Sequence, residues 1–425
     1  MKIEYPCLGR NCLMLLPLAL SLYAASAMGQ SAWTLESSIE RVLGVAPEGQ
    51  EAEANIRGQE GALKQAGAWP NPEFEFRGDN EIEKDEGSSG ASFTQFRFSQ
   101  PLPVSGRLKH QKAVARAELS GAKSELQYQL LLLENQAAER FHVLQFRIAA
   151  LDLAERRLKR ADELQLAGRR REAAGELAKL ERLRLDIIRE TAKQIIDQAE
   201  GEYNEALSQF RAYLELPLAP VPELAPLEPF EPVPSLEELQ ADLAAHPVLL
   251  AASDRTNAAR SNVKLVRSER FPDPKLNLFQ ERGFLNDQRK DVTGIGLTIS
   301  LPFWDRKRGG LVHARAQVDR AQFNQMALER DLRSQLQQTH LHLGHLVEQG
   351  EHFRTHVFGP ARTIFDLTRK AYTAGEVEIL SLIDANHTYF NAYERYLELL
   401  QEAWLEAAEL RFAAGTRLVP TVQDN

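Results

Sequence analysis

Residues 93–107 read FTQFRFSQPLPVSGR and residues 292–306 read VTGIGLTISLPFWDR. Laid over one another they share Thr94 with Thr293, Leu102-Pro103 with Leu301-Pro302 and Arg107 with Arg306, while Phe96 and Phe98 fall on Ile295 and Leu297. In both, apolar and polar residues alternate as in a strand, a Leu-Pro turn follows, and a long helical pattern begins; period 2 gives way to period 3.6. One structural unit is written twice.

Working outward, each copy offers a second alternating segment. Phe74 and Phe76 alternate with Glu73, Glu75 and Arg77, and Leu276 and Leu278 stand in the same relation to the second copy. Strands are expected at about 72–78, 92–100, 275–282 and 292–300, with a polar loop from Asp79 to Ala91 and another from roughly Gly283 to Asp291. Trp69-Pro70-Asn71-Pro72 and Phe271-Pro272-Asp273-Pro274 precede them, prolines that end helices and lead into extended chain. Upstream lie helical regions opened by Thr34 and by Ser235-Leu236-Glu237-Glu238, interrupted at Ala46-Pro47 and at His246-Pro247.

Downstream, 108–214 and 310–414 read as two long helical hairpins, broken only near Gly168 to Gly175 and at Ala374-Gly375. At ~1.5 Å per residue their arms reach roughly 60–90 Å, beyond a small globular domain. Ala174-Gly175-Glu176-Leu177 matches Ala374-Gly375-Glu376-Val377. The chain therefore divides into a leader (1–27), a first repeat (28–216), a proline-rich extended connector (217–234), a second repeat (235–415) and a tail expected to fray (416–425).

The formal charge of the whole chain is −9; nothing in it points to a nucleic-acid partner. Lys2 and Arg10, the apolar run Cys12 to Ala25 and the small-x-small site Ala25-Ser26-Ala27 read as a secretory signal peptide. Both cysteines, Cys7 and Cys12, fall within it, so the mature chain has no thiol, disulfide or lipid-anchoring Cys. No later apolar run could cross a bilayer as a helix, and entry into a membrane would have to use strands. Each strand has one apolar face; a half-buried soluble hairpin reads the same way, but a secreted chain gives such faces a reason to meet lipid. On that reading Phe74, Phe76, Phe96, Phe98, Leu276, Leu278, Ile295 and Leu297 face lipid, and Gln95, Arg97, Ser99, Gly294 and Thr298 face a lumen. Four strands cannot close a barrel, so the chain must oligomerise; two copies would supply eight strands and three would supply twelve.

This order resembles the TolC-like outer-membrane efflux proteins. The resemblance covers nearly the whole mature chain and rests on the duplicated helix, two strands and long hairpin, and on Thr34-Leu35-Glu36, Asn71-Pro72, Ser99-Gln100-Pro101-Leu102-Pro103, Leu301-Pro302-Phe303 and Ala374-Gly375 through Leu382-Ile383-Asp384-Ala385. It implies a mainly α chain with a small β part: a homotrimer sharing a twelve-stranded outer-membrane barrel that continues as a periplasmic α-barrel. It implies an exit duct, without cofactor, that meets a periplasmic adaptor and an inner-membrane pump at the hairpin tips, here Gly168, Gly175, Ala374, Gly375 and Glu376. The short spacing before Trp69 and the missing lipidation Cys resemble the heavy-metal, CzcC-like branch. A type I secretion duct, or a periplasmic coiled-coil scaffold without a pore, stays open beside it. The family's acidic gate positions fall on Asp384 and on Ser381, where the carboxylate is lost; a solvated helical Asp reads equally well.

His340, His342, His345, His352 and His356 crowd one helix. His345, His352 and His356 share a stripe that could hold Zn, Co or Ni transiently, although His345 and His352 are two turns, ~10 Å, apart, and a solvated polar stripe is the simpler reading. Met326 stands alone, which gives no thioether relay for Cu(I). No phosphate-binding glycine loop, paired-His zinc motif or nucleophile elbow is present, and Gly294-x-Gly296 lies within a strand pattern, so catalysis is not expected. Arg169-Arg170-Arg171 and Glu81 to Glu86 read as solvated turns.

Overall fold

The computed structural model describes residues 32–79, 93–229, 232–285 and 288–418. The leader, Glu81 to Glu86 and the end of the tail lie outside the described residues.

Helices α1 (Leu35–Val45) and α2 (Pro47–Ala66) lead to strands β1 (Glu73–Asp79) and β2 (Phe93–Pro101), then to α3 (Arg107–Ala173) and α4 (Lys179–Tyr213). The second repeat follows as α5 (Leu236–Asp242), α6 (Pro247–Ser268), β3 (Lys275–Leu285), β4 (Gln288–Thr298), α7 (Arg308–Phe353), a π-helical turn (Arg354–Phe358), α8 (Gly359–Ala374) and α9 (Ile379–Ala414). Thr34 caps α1 in a capping box with Ser37, and Pro47 and Pro247 open α2 and α6, where a missing N–H costs nothing.

The strands form one antiparallel sheet in the order β1-β2-β3-β4, so β2 on β3 joins the two repeats. The second hairpin is longer than the sequence suggests. Gly283 pairs with Lys290, Phe284 with Arg289 and Leu285 with Gln288, because Arg282 and Asp291, bonded at 2.8 Å, belong to the ladder and not to a loop. The copies also differ at their helix starts. Gly106, at φ +76°, precedes α3, whereas Lys307, at φ +54°, precedes α7, so Arg308 takes the place of Arg107 and Arg306 stays in the turn. A lysine tolerates that left-handed backbone because Asp305 accepts both its N–H (2.9 Å) and its ammonium (3.1 Å).

At ~1.5 Å per residue the 67 residues of α3 extend about 100 Å. It has no single apolar stripe because its neighbours change along its length: it packs against α2 and α6 near the sheet, α1 at mid-height, and α4 and α9 beyond. In the α3–α4 hairpin Ala154, Ala161 and Gly168 recur at seven-residue spacing opposite Leu185 and Ala192, all buried, as in an antiparallel coiled coil. Gly168 is therefore not part of the tip turn. It lies inside α3, and a Cβ there would come 2.3 Å from Leu185 Cδ1; the glycine permits close helix approach. At mid-height Ile39, Val42, Phe141, Leu144 and Phe210 form one core and Leu243, Leu336, Leu343 and Leu410 a second, while Phe146 and Leu153 meet Phe390, Leu397 and Leu400 between the repeats. Each such side chain contributes about 1.5–3 kcal/mol.

The start of the tail is docked, not frayed. Gly415, at φ +75°, ends α9, and Thr416 N–H returns to the Arg411 carbonyl (3.0 Å). Arg417 Nε (2.6 Å) and Leu418 N–H (3.0 Å) then donate to the buried Glu134 carboxylate in α3. Glu134→Ala leaves these donors without their acceptor and is expected to destabilise the chain by about 2–4 kcal/mol. A thermal midpoint equal to that of the parent protein would show that the tie carries no stability.

His142, buried at the same height, stacks on Trp404 at 5.1 Å, and its Nδ1 lies 2.9 Å from Gln145 Oε1. Burial, assisted by the nearby Arg411 charge and opposed by the Gln145 hydrogen bond, pushes its pKa down to about 4. The unfolded chain takes up this proton near pH 6.5, so the neutral ring's contribution is complete above that pH. It is lost as pH falls towards about 4, a change of roughly 3 kcal/mol at most. His142→Phe should flatten this part of the denaturation profile; a slope identical to that of the parent protein would count against it.

Candidate functional site

The register places residues from both repeats on two sides of one sheet. Phe74, Phe98, Leu278 and Ile295 form a continuous row on one side, with Phe76 and Phe96 in the next row outward and Leu276 and Leu297 in the row towards the helices. These side chains are open: Phe74 and Ile295 are each 70% exposed, and only Leu276 is half-buried. The row beyond is polar, with Gly78, Thr94, Arg282 and Asp291.

The opposite side gathers Gln95, Arg97, Ser99, Gly294 and Thr298, the whole set that alternation assigns there. It is a hydrogen-bonded polar surface. Arg97 donates to Glu75 (3.2 Å), Ser99 to Asn277 Oδ1 (2.7 Å), Asn277 to Thr298 (2.8 Å), and Lys275 to Glu73 (2.8 Å). Gln95 and Ser99 are buried within this network. Sequence reading missed Phe279, an aromatic on the polar side. Its ring lies over Gly294, where a Cβ would fall 2.4 Å from Phe279 Cζ, so Gly294 provides room for the ring and is not bare surface. An aromatic directly across from a strand glycine is the available signal.

Strands β3 and β4, with 11 residues each, match the ~9–11 residues of a membrane-spanning strand. No described helix is long and apolar enough to cross a membrane. Below the sheet, Ser105 (3.1 Å) and Arg107 (2.9 Å) donate to Asp273, which fixes the start of the first hairpin, just past β2, to the link between α6 and β3 of the second repeat.

The far ends of the hairpins use the same turn. Gly175 (φ +77°) and Gly375 (φ +79°) end α3 and α8, and Glu176 and Glu376 N–H return to the Arg171 (2.8 Å) and Ala371 (2.9 Å) carbonyls. Ala374 is the last residue of α8. The two tips meet, Arg171 lying 4.6 Å over the Tyr372 ring. Arg182 bridges Glu172 (3.0 Å) and Asp186, and the Gln165 hydrogen bond, with Arg182 and Arg169, holds the Asp186 carboxyl below the usual range. Asp384 and Ser381 are both exposed at the start of α9, three residues apart, and Asp384 makes no ion pair or hydrogen bond among the described residues.

The histidines do not form one group. His340 Nε2 donates to the Pro234 carbonyl (2.9 Å) and His342 lies 3.2 Å from Glu406, while His352 and His356 stack together without His345. Among the described residues no cluster of three or more metal-ligating side chains occurs.

The sequence profile of the outer membrane efflux proteins matches residues 239–416. The match spans nearly the whole second repeat. Along 394 residues the chain is 24% identical to the cobalt-zinc-cadmium resistance protein CzcC of Cupriavidus metallidurans, covering 89% of this chain and 88% of that one. Its fold is that of solved channels. The structure of CusC superposes with a TM-score of 0.73 at 16% identity, covering 96% of this chain and 99% of CusC. The outer membrane protein VceC of Vibrio cholerae gives 0.71 at 16%, covering 90% and 96%. The open-state MtrE channel of Neisseria gonorrhoeae gives 0.71 at 17%, covering 90% and 89%.

Proposed function

We propose that this chain is the outer-membrane subunit of an efflux system, a passive exit duct that works as a homotrimer. One observation carries the reading: a four-stranded sheet with an exposed apolar side, a polar side and two open edges, set on helical hairpins about 100 Å long. Three copies supply twelve strands, and closure removes the edges. The exposed Leu180, Leu183 and Ile187 of α4 and Ile364 and Leu367 of α8 support neighbouring copies along the hairpins as well. The apolar rows then meet lipid and the Gln95, Arg97, Ser99 side lines the pore. The turns at Gly175 and at Ala374, Gly375 and Glu376 receive an adaptor and an inner-membrane pump in the periplasm. Similarity to CzcC supports heavy-metal cations as cargo.

Single cysteines in the otherwise thiol-free mature chain test this. In outer-membrane fractions an impermeant thiol reagent should label positions 95, 97 and 99 and spare 74, 98 and 295. Equal labelling of both sets would exclude the barrel and favour a pore-free periplasmic scaffold.

Asp384 supplies the gate in this reading. Three copies would place three carboxylates about one axis at the narrow end, with Ser381 adding no charge. They would attract cations and repel anions, more strongly where the pore is poorly hydrated. Asp384→Ala should lower cation selectivity and weaken divalent-cation block in planar bilayers while trimers still form. Unchanged selectivity and block would remove Asp384 from the gate.

A further inference from the structure

Between α7 and α8 the helix widens. Pro360 has no N–H to return to the His356 carbonyl four residues back, and Gly359 N–H reaches the Arg354 carbonyl, five residues back. A Cβ at Gly359 would stand 3.3 Å from that oxygen, so Gly359-Pro360 both imposes the π turn and fits it. Such turns concentrate at functional positions. Here the turn follows His352 and contains His356, and the two imidazoles lie with centroids 4.4 Å apart and planes inclined by 20°. Both are exposed.

We propose that His352 and His356 form a two-imidazole binding site for a divalent transition cation of the zinc, cobalt or nickel class. The His356 Nδ1–H donates to the His352 carbonyl (3.2 Å), which leaves the Nε2 lone pair available. A hydrogen bond from the other ring nitrogen to a carbonyl is how metal-ligating histidines are held. An ion ~2.1 Å from each nitrogen needs the nitrogens roughly 3.3 Å apart with the ion in both ring planes; the two exposed rings, one helical turn apart, reach this by rotating out of the stack about their side-chain bonds. Imidazole favours these borderline cations over magnesium or calcium, which prefer oxygen.

The neighbouring carboxylate is engaged elsewhere. Glu351, the carboxylate next to His352, is bonded by Arg354 at 2.5 and 2.9 Å. With two protein ligands and the remaining positions left to water, the site holds its ion exchangeably, which suits a surface that cations pass. The assignment goes beyond the duct reading and stands on the ring pair whatever the cargo.

The test is calorimetric titration of the full-length protein in detergent with Co2+ or Zn2+ alone, with Co2+ absorption as a second readout. A single ion per chain should bind, and His352→Ala, His356→Ala and His356→Gln should each weaken it by about 10- to 100-fold. His342→Ala and His345→Ala should bind as the parent protein does, and circular dichroism should show all variants equally helical. Absence of binding to the parent protein, equal binding by the double variant, or an equal loss in His345→Ala would each overturn the proposal. None of these outcomes bears on whether the sheet forms a barrel, which the cysteine labelling decides separately.

Discussion

The backbone at the outer edges of β1 and β4 sets the terms for everything else in this chain. Along these strands of 7 and 11 residues, peptide groups on the outer edge face no partner within the described sheet, and in a medium without water each such group costs several kcal/mol. In water the edges would be satisfied, but the rows through Phe74, Phe98, Leu278 and Ile295 would then lie open to it. In the proposed barrel, further copies of the sheet would pair the edges and lipid would cover the rows. The requirement extends to the helices, because Ser105 and Arg107 on Asp273 fix the first hairpin's exit from β2 against the chain entering β3. Closure of the sheet between copies, as proposed, would therefore also bring their first hairpins side by side.

The connector solves a second hydrogen-bonding problem. Seven prolines between 217 and 234 remove donors yet leave every carbonyl in need of one. The helices supply them: Gln145 donates to Ala225 (2.7 Å) and Pro226 (3.2 Å), Trp404 to Glu228 (3.0 Å) and His340 to Pro234 (2.9 Å). The segment thus crosses both repeats as a strap. Gln145 serves twice, since the oxygen left free by its amide donation faces His142 and gives the buried ring, kept neutral by burial, a hydrogen-bond partner.

What sequence made legible were the features with a short period. Alternation in four segments sorts their side chains onto two sides, and Gly175 and Gly375 mark real turns because only the left-handed backbone there demands glycine. What it did not reveal depends on contacts distant along the chain. Gly168 reads as a turn residue until Leu185 is seen against it, and the tail reads as frayed until Glu134, some 280 residues away, accepts its donors. Asp291 looks like a loop residue because its cross-strand pairing with Arg282 has no signature in either strand alone.

The two hairpins, alike in their turns, differ in what holds them together, and that difference accounts for where the irregularity falls. In α3–α4 the contact seats Leu185 and Ala192 against the small residues Ala154, Ala161 and Gly168, and a shift in register would put a larger side chain where Leu185 needs a glycine. One inserted residue rotates everything after it by ~100°, so this hairpin has to stay continuous. The second hairpin fills its interface with rings: Phe358 stacks on Tyr396 at 5.3 Å and lies 4.9 Å from Tyr393, and Phe365 stacks on Tyr389 at 5.0 Å. Aromatic faces adhere through area and accept a range of offsets. A π turn at Arg354–Phe358 can therefore be absorbed there, and the copy with aromatic packing is the one free to carry the widened turn beside His352 and His356.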